Sequence, residues 1–201
     1  MATAQSSTAK PSARERLLNA ANELFYAEGV QSVGIDRIIE HAGVAKASLY
    51  NTFGGKEQLV VAYLDRRRES VSDRIARTVE SYEAPRDRLL AVFEAQAAGF
   101  GAPDYHGCAF ISASAEAVPG GLVERASDNY RGWLRALLTR LAAEAGATDP
   151  EALGRQLHLV YDGATISARM DRDRSAAAPA RAAAAALIDA ATAALAAPAG
   201  E

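Results

Sequence analysis

Apolar side chains in this chain recur three and four positions apart and almost never alternate. Leu17, Leu18, Ala21, Leu24 and Phe25 form one such stripe, and Leu59, Tyr63, Val71, Ile75 and Val79 follow near period four. Tyr130, Trp133, Leu134, Leu137, Leu138 and Leu141 make a third. A helix places each set on one face, whereas a half-buried strand needs strict alternation. Alanine is abundant and strand-favouring clusters are few, so the fold class this pattern dictates is all-α. With 201 residues the chain can bury a core of its own, as one domain or as a small domain fused to a larger one.

Capping and breaking residues set the expected boundaries. Ser12 followed by Glu15 is a capping box that opens helix 1, and Gly29 closes it. Helix 2 is predicted over roughly 35–42 with Ile35, Ile38 and Ile39 inward, and helix 3 over roughly 45–52, with Gly43 turning the chain between them and Gly54-Gly55 stopping the third. A long helix 4 is expected from Lys56 to about Ser81, and Pro85 opens helix 5. Helix 6 is placed at about Cys108 to Ala117, helix 7 at about Leu122 to Ala145, and Asp149-Pro150-Glu151 starts helix 8. A ninth helix is expected over about 180–197. The organisation predicted is a mobile tail over 1–11, a three-helix domain over 12–55 and a larger helical domain over 56–197.

Helix 3 is too short to stand alone, so tertiary contacts must hold it. With Leu49 at the centre of its buried face, Phe53 lies beside it four residues on. Ala47 and Asn51 then point away, flanked by Ser48 and Tyr50. A two-turn helix with apolar anchors and an outward face of small and hydrogen-bonding groups, reached through a glycine turn, suits a recognition helix for a DNA major groove. Lys56 opens the next helix directly after two glycines. A cation there opposes the helix macrodipole, which makes sense when an anion lies nearby.

These residues carry a family resemblance. Gly29, Ile38, Ala42, Gly43, Val44, Leu49, Tyr50, Phe53, Lys56 and Leu59 stand in the register of the N-terminal domain of TetR-family transcriptional regulators, and the block Arg14 to Arg66 resembles that domain. The resemblance implies that Lys46, Ala47, Ser48, Tyr50, Asn51 and Thr52 face a double-stranded DNA operator and that Lys56 grips a phosphate. Arg37 on helix 2 is a further DNA-binding candidate beside a reading as a solvated surface arginine. Of these, Ala47 and Lys46 suit base edges, Asn51 suits an adenine edge and a phosphate equally, and Tyr50, Thr52, Ser48 and Lys56 suit register-fixing contacts. Two positions depart from the pattern. Ala45 stands where a Ser or Thr usually caps helix 3, a loss on the order of 1 kcal/mol, and Gly55 precedes the helix 4 lysine.

Beyond helix 4 the family shares architecture more than sequence. "GCAFISASAE" and "YDGA" resemble helices 6 and 8 of one subgroup and imply a ligand-sensing domain. Its candidate pocket residues are Phe93, Gln96, Phe100, Phe110, Ser114, Tyr130, Trp133, Leu137, Tyr161 and Thr165. Most read equally well as ordinary core. Gln96, Ser114 and Thr165 are the more telling, because a polar group on an apolar stripe needs a partner. Leu153, Leu157, Val160, Leu187, Ile188, Ala191 and Leu195 resemble the four-helix bundle through which the family forms homodimers.

Charge and cysteine usage narrow the classes. The net charge is -3 and residues 1–60 balance six cations against six acids, so DNA contact must rest on placed residues rather than a basic block. One cysteine and three histidines offer no disulfide and no metal-ligand cluster, so no cofactor is expected. No signal-like or membrane-spanning run is visible, which points to a cytoplasmic protein without a membrane partner. Nucleophile elbow, metal spacing and phosphate loop are all missing, so the chain reads as no enzyme. Cys108 beside His106 invites a redox reading against that of a small buried hydrophobe. The function expected is a repressor that binds a palindromic operator as a homodimer and is released by a small apolar or amphipathic effector. The competing reading is a helical ligand-binding or redox-sensing protein with little operator binding.

Overall fold

The computed structural model describes residues 11–193, and among them helices joined by short turns make up all the regular structure. The chain divides into two compact units, Met1–Tyr63 and Leu64–Glu201, with the boundary inside one helix. That boundary falls later than the expected division after Gly55. The expected tail, apart from Pro11, lies outside the described residues, as do Leu195 and the end predicted for the last helix.

The first unit contains α1 (Ala13–Glu28), α2 (Ile35–Ala42), α3 (Lys46–Phe53) and the start of α4 (Lys56–Glu80). Both halves of the capping box are formed: the Glu15 amide donates to Ser12 Oγ at 3.2 Å, and the Ser12 amide donates to the Glu15 carboxylate at 2.8 Å. Leu17, Ala21, Phe25, Val33, Ile38, Leu49 and Leu59 make its core, and Phe25 meets Tyr63 edge-on at 5.6 Å. Of the expected inward trio on α2, only Ile38 is fully buried, while Ile35 and Ile39 flank it half-buried at the margins of the face. Arg16 Nε donates to the Ala42 carbonyl at 3.2 Å and so satisfies one of the acceptors that the end of α2 leaves open. Gly43 (φ 61°, ψ 44°) and Gly54 (φ 85°, ψ -29°) close α2 and α3 in the left-handed region, which side chains disfavour.

The second unit holds the rest of α4 with α5 (Pro85–Phe100), α6 (Ala109–Ala115), α7 (Leu122–Glu144), α8 (Pro150–Met170) and α9 (Ala177–Thr192). A 3-10 turn, Arg174–Ala176, leads into α9. The Asp149-Pro150 start is confirmed, with Asp149 accepting from the Ala152 amide at 2.9 Å. Helix α6 is shorter than its sequence suggests, because Cys108 is its N-cap and Ala115 its last residue. The α7–α8 pair is the most extensive helix contact, and Gly154 makes it close: a β-carbon there would lie 3.0 Å from the Thr139 backbone nitrogen. Leu134, Leu138, Leu141, Leu153 and Leu157 fill this seam, and Leu89, Leu90, Phe93, Ala184 and Ile188 are buried on α5 and α9. Thr148 ties the α7–α8 turn to α9, its amide and hydroxyl both donating to the Ala191 carbonyl at 3.1 and 2.8 Å.

Candidate nucleic-acid interface and ligand core

Helix α3 is held by one fully buried side chain, Leu49, and by Phe53, half-buried beneath the Arg14 guanidinium at 5.6 Å from the ring centroid. Around that anchor Lys46, Ala47, Asn51 and Thr52 are exposed, Ser48 is half-exposed, and Tyr50 keeps 45% of its surface in solvent. The missing cap has the form its sequence implies: Ala45 is the N-cap of α3 and contributes no side-chain hydrogen bond. Lys56 is the first residue of α4 and is half-buried.

The cations around this face are already engaged. Lys46 Nζ lies 2.8 Å from Asp36 Oδ1, and Arg37 forms a two-pronged pair with Glu28, one prong measuring 2.7 Å. The His41 ring nitrogen lies 2.7 Å from Glu23. The carboxylate beside each of Lys46 and Arg37 holds its pKa above the usual value, chiefly through the direct hydrogen bond. Arg37 is therefore a paired surface arginine in the free protein, a partner that sequence reasoning did not foresee.

In the second unit seven of the ten pocket candidates are buried together: Phe93, Gln96, Phe100, Phe110, Tyr130, Tyr161 and Thr165. Phe110 and Tyr130 stack in parallel at 3.8 Å, Phe93 meets Tyr161 edge-on at 6.1 Å, and Tyr130 lies 5.8 Å from Trp133. Burial pushes the Tyr130 and Tyr161 phenols well up. Gln96 Nε2 donates to the Tyr161 carbonyl at 2.7 Å and to Thr165 Oγ1 at 2.9 Å, while Thr165 donates to the same carbonyl at 3.1 Å. The partners that Gln96 and Thr165 need are thus each other and the Tyr161 carbonyl. Ser114 is corrected too: it is exposed and donates to the Ile111 carbonyl of its own helix. Trp133 and Leu137 are half-exposed at the margin.

Sequence reasoning missed Tyr105, whose hydroxyl donates to the Thr165 carbonyl at 3.3 Å and whose ring tilts on Phe100 at 5.1 Å. It also missed His158, which is buried with its Nε2 lacking a hydrogen-bond partner. Asp162 lies 3.7 Å from that nitrogen, too far for a hydrogen bond, and is paired with Arg131 at 2.8 Å. Burial lowers the His158 pKa, with Asp162 opposing and Arg131 and Arg135 assisting. Cys108 sits at the edge of this cluster, its thiol pushed up by burial, which leaves it less nucleophilic than an ordinary cysteine.

The expected interface residues are also redistributed. Leu157 and Ile188 have no exposed surface and Leu153 has almost none, so they belong to the core of the single chain. Val160, Leu187 and Ala191 are half-buried. The apolar surface that α8 leaves open lies one position round the helix, on Leu159 (71% exposed), Ile166 and Met170 (76%), with Gly163 between them. On α9, Ala182, Ala183, Ala186 and Ala190 are exposed. Among the described residues no cluster of metal-ligating side chains exists and no helix is long and apolar enough to cross a membrane.

Comparison with known proteins agrees with this architecture. Residues 17–63 match the family described as bacterial regulatory proteins, tetR family. The crystal structure of a TetR-family transcriptional regulator from Streptomyces coelicolor is similar with a TM-score of 0.85 and 34% identity, covering 90% of this chain and 96% of that one. The reduced form of NemR from Escherichia coli is similar with a TM-score of 0.75 and 25% identity, over 87% of this chain and 97% of that one. In sequence, the HTH-type regulator LmrA of Bacillus subtilis is 37% identical over 79 residues, which is 39% of this chain but only 42% of LmrA. The chain thus matches less than half the length of that curated relative. These relatives are transcriptional regulators and not enzymes, and the same holds for this protein. With a matching three-helix head and a whole-chain likeness to a solved member, the chain belongs to the TetR family of transcriptional regulators.

Proposed function

We propose that the protein is a repressor that binds a palindromic operator as a homodimer and is released by a small amphipathic molecule. The observation that carries DNA binding is the outward face of α3, where Ala47, Tyr50, Asn51 and Thr52 are exposed around a single buried anchor. Side chains so placed reach base edges and phosphates without disturbing the core. The operator contacts assigned are Lys46, Ala47 and Asn51 to bases and Ser48, Tyr50, Thr52 and Lys56 to the backbone, with Arg37 joining after release from Glu28.

A second copy is the occupant proposed for the apolar stripes on α8 and α9, since Leu159, Ile166 and Met170 gain most by leaving water. The effector site is assigned to the aromatic cluster of Phe93, Phe100, Phe110, Tyr130 and Tyr161, with Trp133 and Leu137 at its margin. Its apolar walls and few hydroxyls favour an amphipathic ligand. Repression is supported by NemR of Escherichia coli, an HTH-type transcriptional repressor 33% identical over 82 residues.

Mobility-shift titration on the DNA flanking its own gene tests the reading. Binding should weaken with Lys56→Ala and should saturate with one dimer per palindrome. An effector that displaces the protein must bind more weakly when operator is present, by the same factor as it weakens operator binding. Equal effector affinities with and without operator would refute the switch.

A further inference from the structure

The recognition helix carries one lysine on its outward face, and the free protein holds that lysine on an acid. Lys46 is the first residue of α3, and its Nζ lies 2.8 Å from Asp36 Oδ1. Asp36 is in the first turn of α2, with its side chain 84% exposed. An exposed ion pair is worth little net, so DNA can take Lys46 from it. The carboxylate cannot leave, because the first turn of α2 fixes its backbone beside the N-terminus of α3. Once Lys46 turns to the duplex, Asp36 remains as an uncompensated negative charge next to the phosphates.

Resting on the DNA-binding reading above, we propose that Asp36 is a specificity-determining residue. It cancels the charge that Lys46 would otherwise bring to any DNA, and so leaves discrimination to the short-range contacts of α3 with base edges, that of Lys46 among them. Phosphate attraction is blind to sequence, whereas base contacts are not. An acid that subtracts from the first term alone widens the gap between operator and random DNA. On the neighbouring α2, Arg37 is likewise paired with an acid, Glu28 of α1.

A structural role for Asp36 predicts the opposite sign. An acid in the first turn stabilises α2 through the helix dipole, so neutralising it would weaken the head and its DNA binding. The experiment measures binding of full-length parent, Asp36→Asn and Asp36→Ser to a random-sequence duplex and to the duplex flanking the gene, by fluorescence anisotropy between about 50 and 200 mM salt. Asp36→Asn should tighten random-duplex binding by about two- to five-fold per half-site and steepen the logarithmic salt slope by about 0.9 per half-site. The ratio of flanking to random affinity should fall. Adding Lys46→Gln to Asp36→Asn should return the slope to that of the parent. A parent that binds neither duplex at low salt would sink the DNA-binding reading and the inference together. A parent that binds, with an Asp36→Asn slope unchanged or an affinity reduced, would sink the inference alone. Asp36→Ser keeps a residue suited to a helix start and must give the same sign.

Discussion

Gly154 of α8 lies directly against the backbone of Thr139 on α7. A β-carbon at position 154 would sit 3.0 Å from the Thr139 nitrogen and 3.1 Å from its α-carbon, with the Thr139 hydroxyl closer still. Backbone cannot rotate aside as a flexible side chain would, so Gly154→Ala must spread the two helices. Although alanine favours helix over glycine by about 1 kcal/mol, overpacking at this seam should outweigh it and leave the variant about 1–3 kcal/mol less stable. Chemical denaturation of parent and variant checks the sign.

A pH dependence of stability follows from His158. Burial lowers its folded-state pKa below the ordinary 6.5, so the unfolded chain binds the proton more readily than the native one. Its contribution is complete above about pH 6.5. Stability then falls as pH drops from there to the folded value, by at most about 1.4 kcal/mol per pH unit, and levels off below. Replacing the imidazole, as in His158→Gln, should flatten that segment of the curve. Denaturant midpoints measured from pH 8 downward would expose a histidine that does not titrate this way.

Assembly separates two leucines on one helix. Leu157→Arg places an unpaired charge in a fully buried site and should unfold the second unit. Leu159→Arg, on a side chain 71% exposed, should leave helical content and melting of the monomer intact while converting dimer to monomer. Sedimentation of both variants decides the matter, and a fully dimeric Leu159→Arg/Met170→Arg double variant would move the interface off this stripe.

Backbone contacts and base contacts should respond differently to salt. Lys56→Ala is expected to weaken binding to all duplexes and to make the salt slope shallower by about 0.9 per half-site. Tyr50→Phe should weaken it across sequences without changing the slope, because no charge is lost. Asn51→Ala should instead alter which sequences are preferred, as read by selection from a random pool.

The thiol provides a check on the interior. Since burial raises the pKa of Cys108, it should react with a disulfide reagent far more slowly than a free thiol at pH 8, and at the free rate once the chain is unfolded. Cys108 is half-buried, so rapid labelling of the native protein would mean that its thiol meets solvent without the apolar surroundings that raise its pKa.

Local signals made the head legible in the sequence. A capping box, two left-handed glycines and a Leu49 anchor act within a few residues of one another, so Ser12, Gly43 and Gly54 fall where the sequence puts them. What remained hidden depended on long-range placement. Periodicity shows that Leu157 and Leu159 lie on different sides of α8, but not which side another helix of the same chain will cover. Gln96 and Thr165 are distant in sequence, so their mutual hydrogen bond is invisible until α5 and α8 are packed. The same applies to Lys46 and Asp36, whose pairing depends on how α2 and α3 cross.

The two left-handed glycines that bracket α3 bear on how such a regulator changes its target. Gly43 and Gly54 fix the length and register of the helix through the backbone, and Leu49 alone in it is fully buried. Lys46, Ala47, Asn51 and Thr52 make no contribution to the core, and exchanging surface residues of this kind typically shifts stability by no more than about 0.5 kcal/mol. If α3 reads the operator as proposed, its outward face is a replaceable cassette on a frame that does not register its contents. On that reading a few substitutions in α3 would give a descendant of this gene a new operator at little cost in stability.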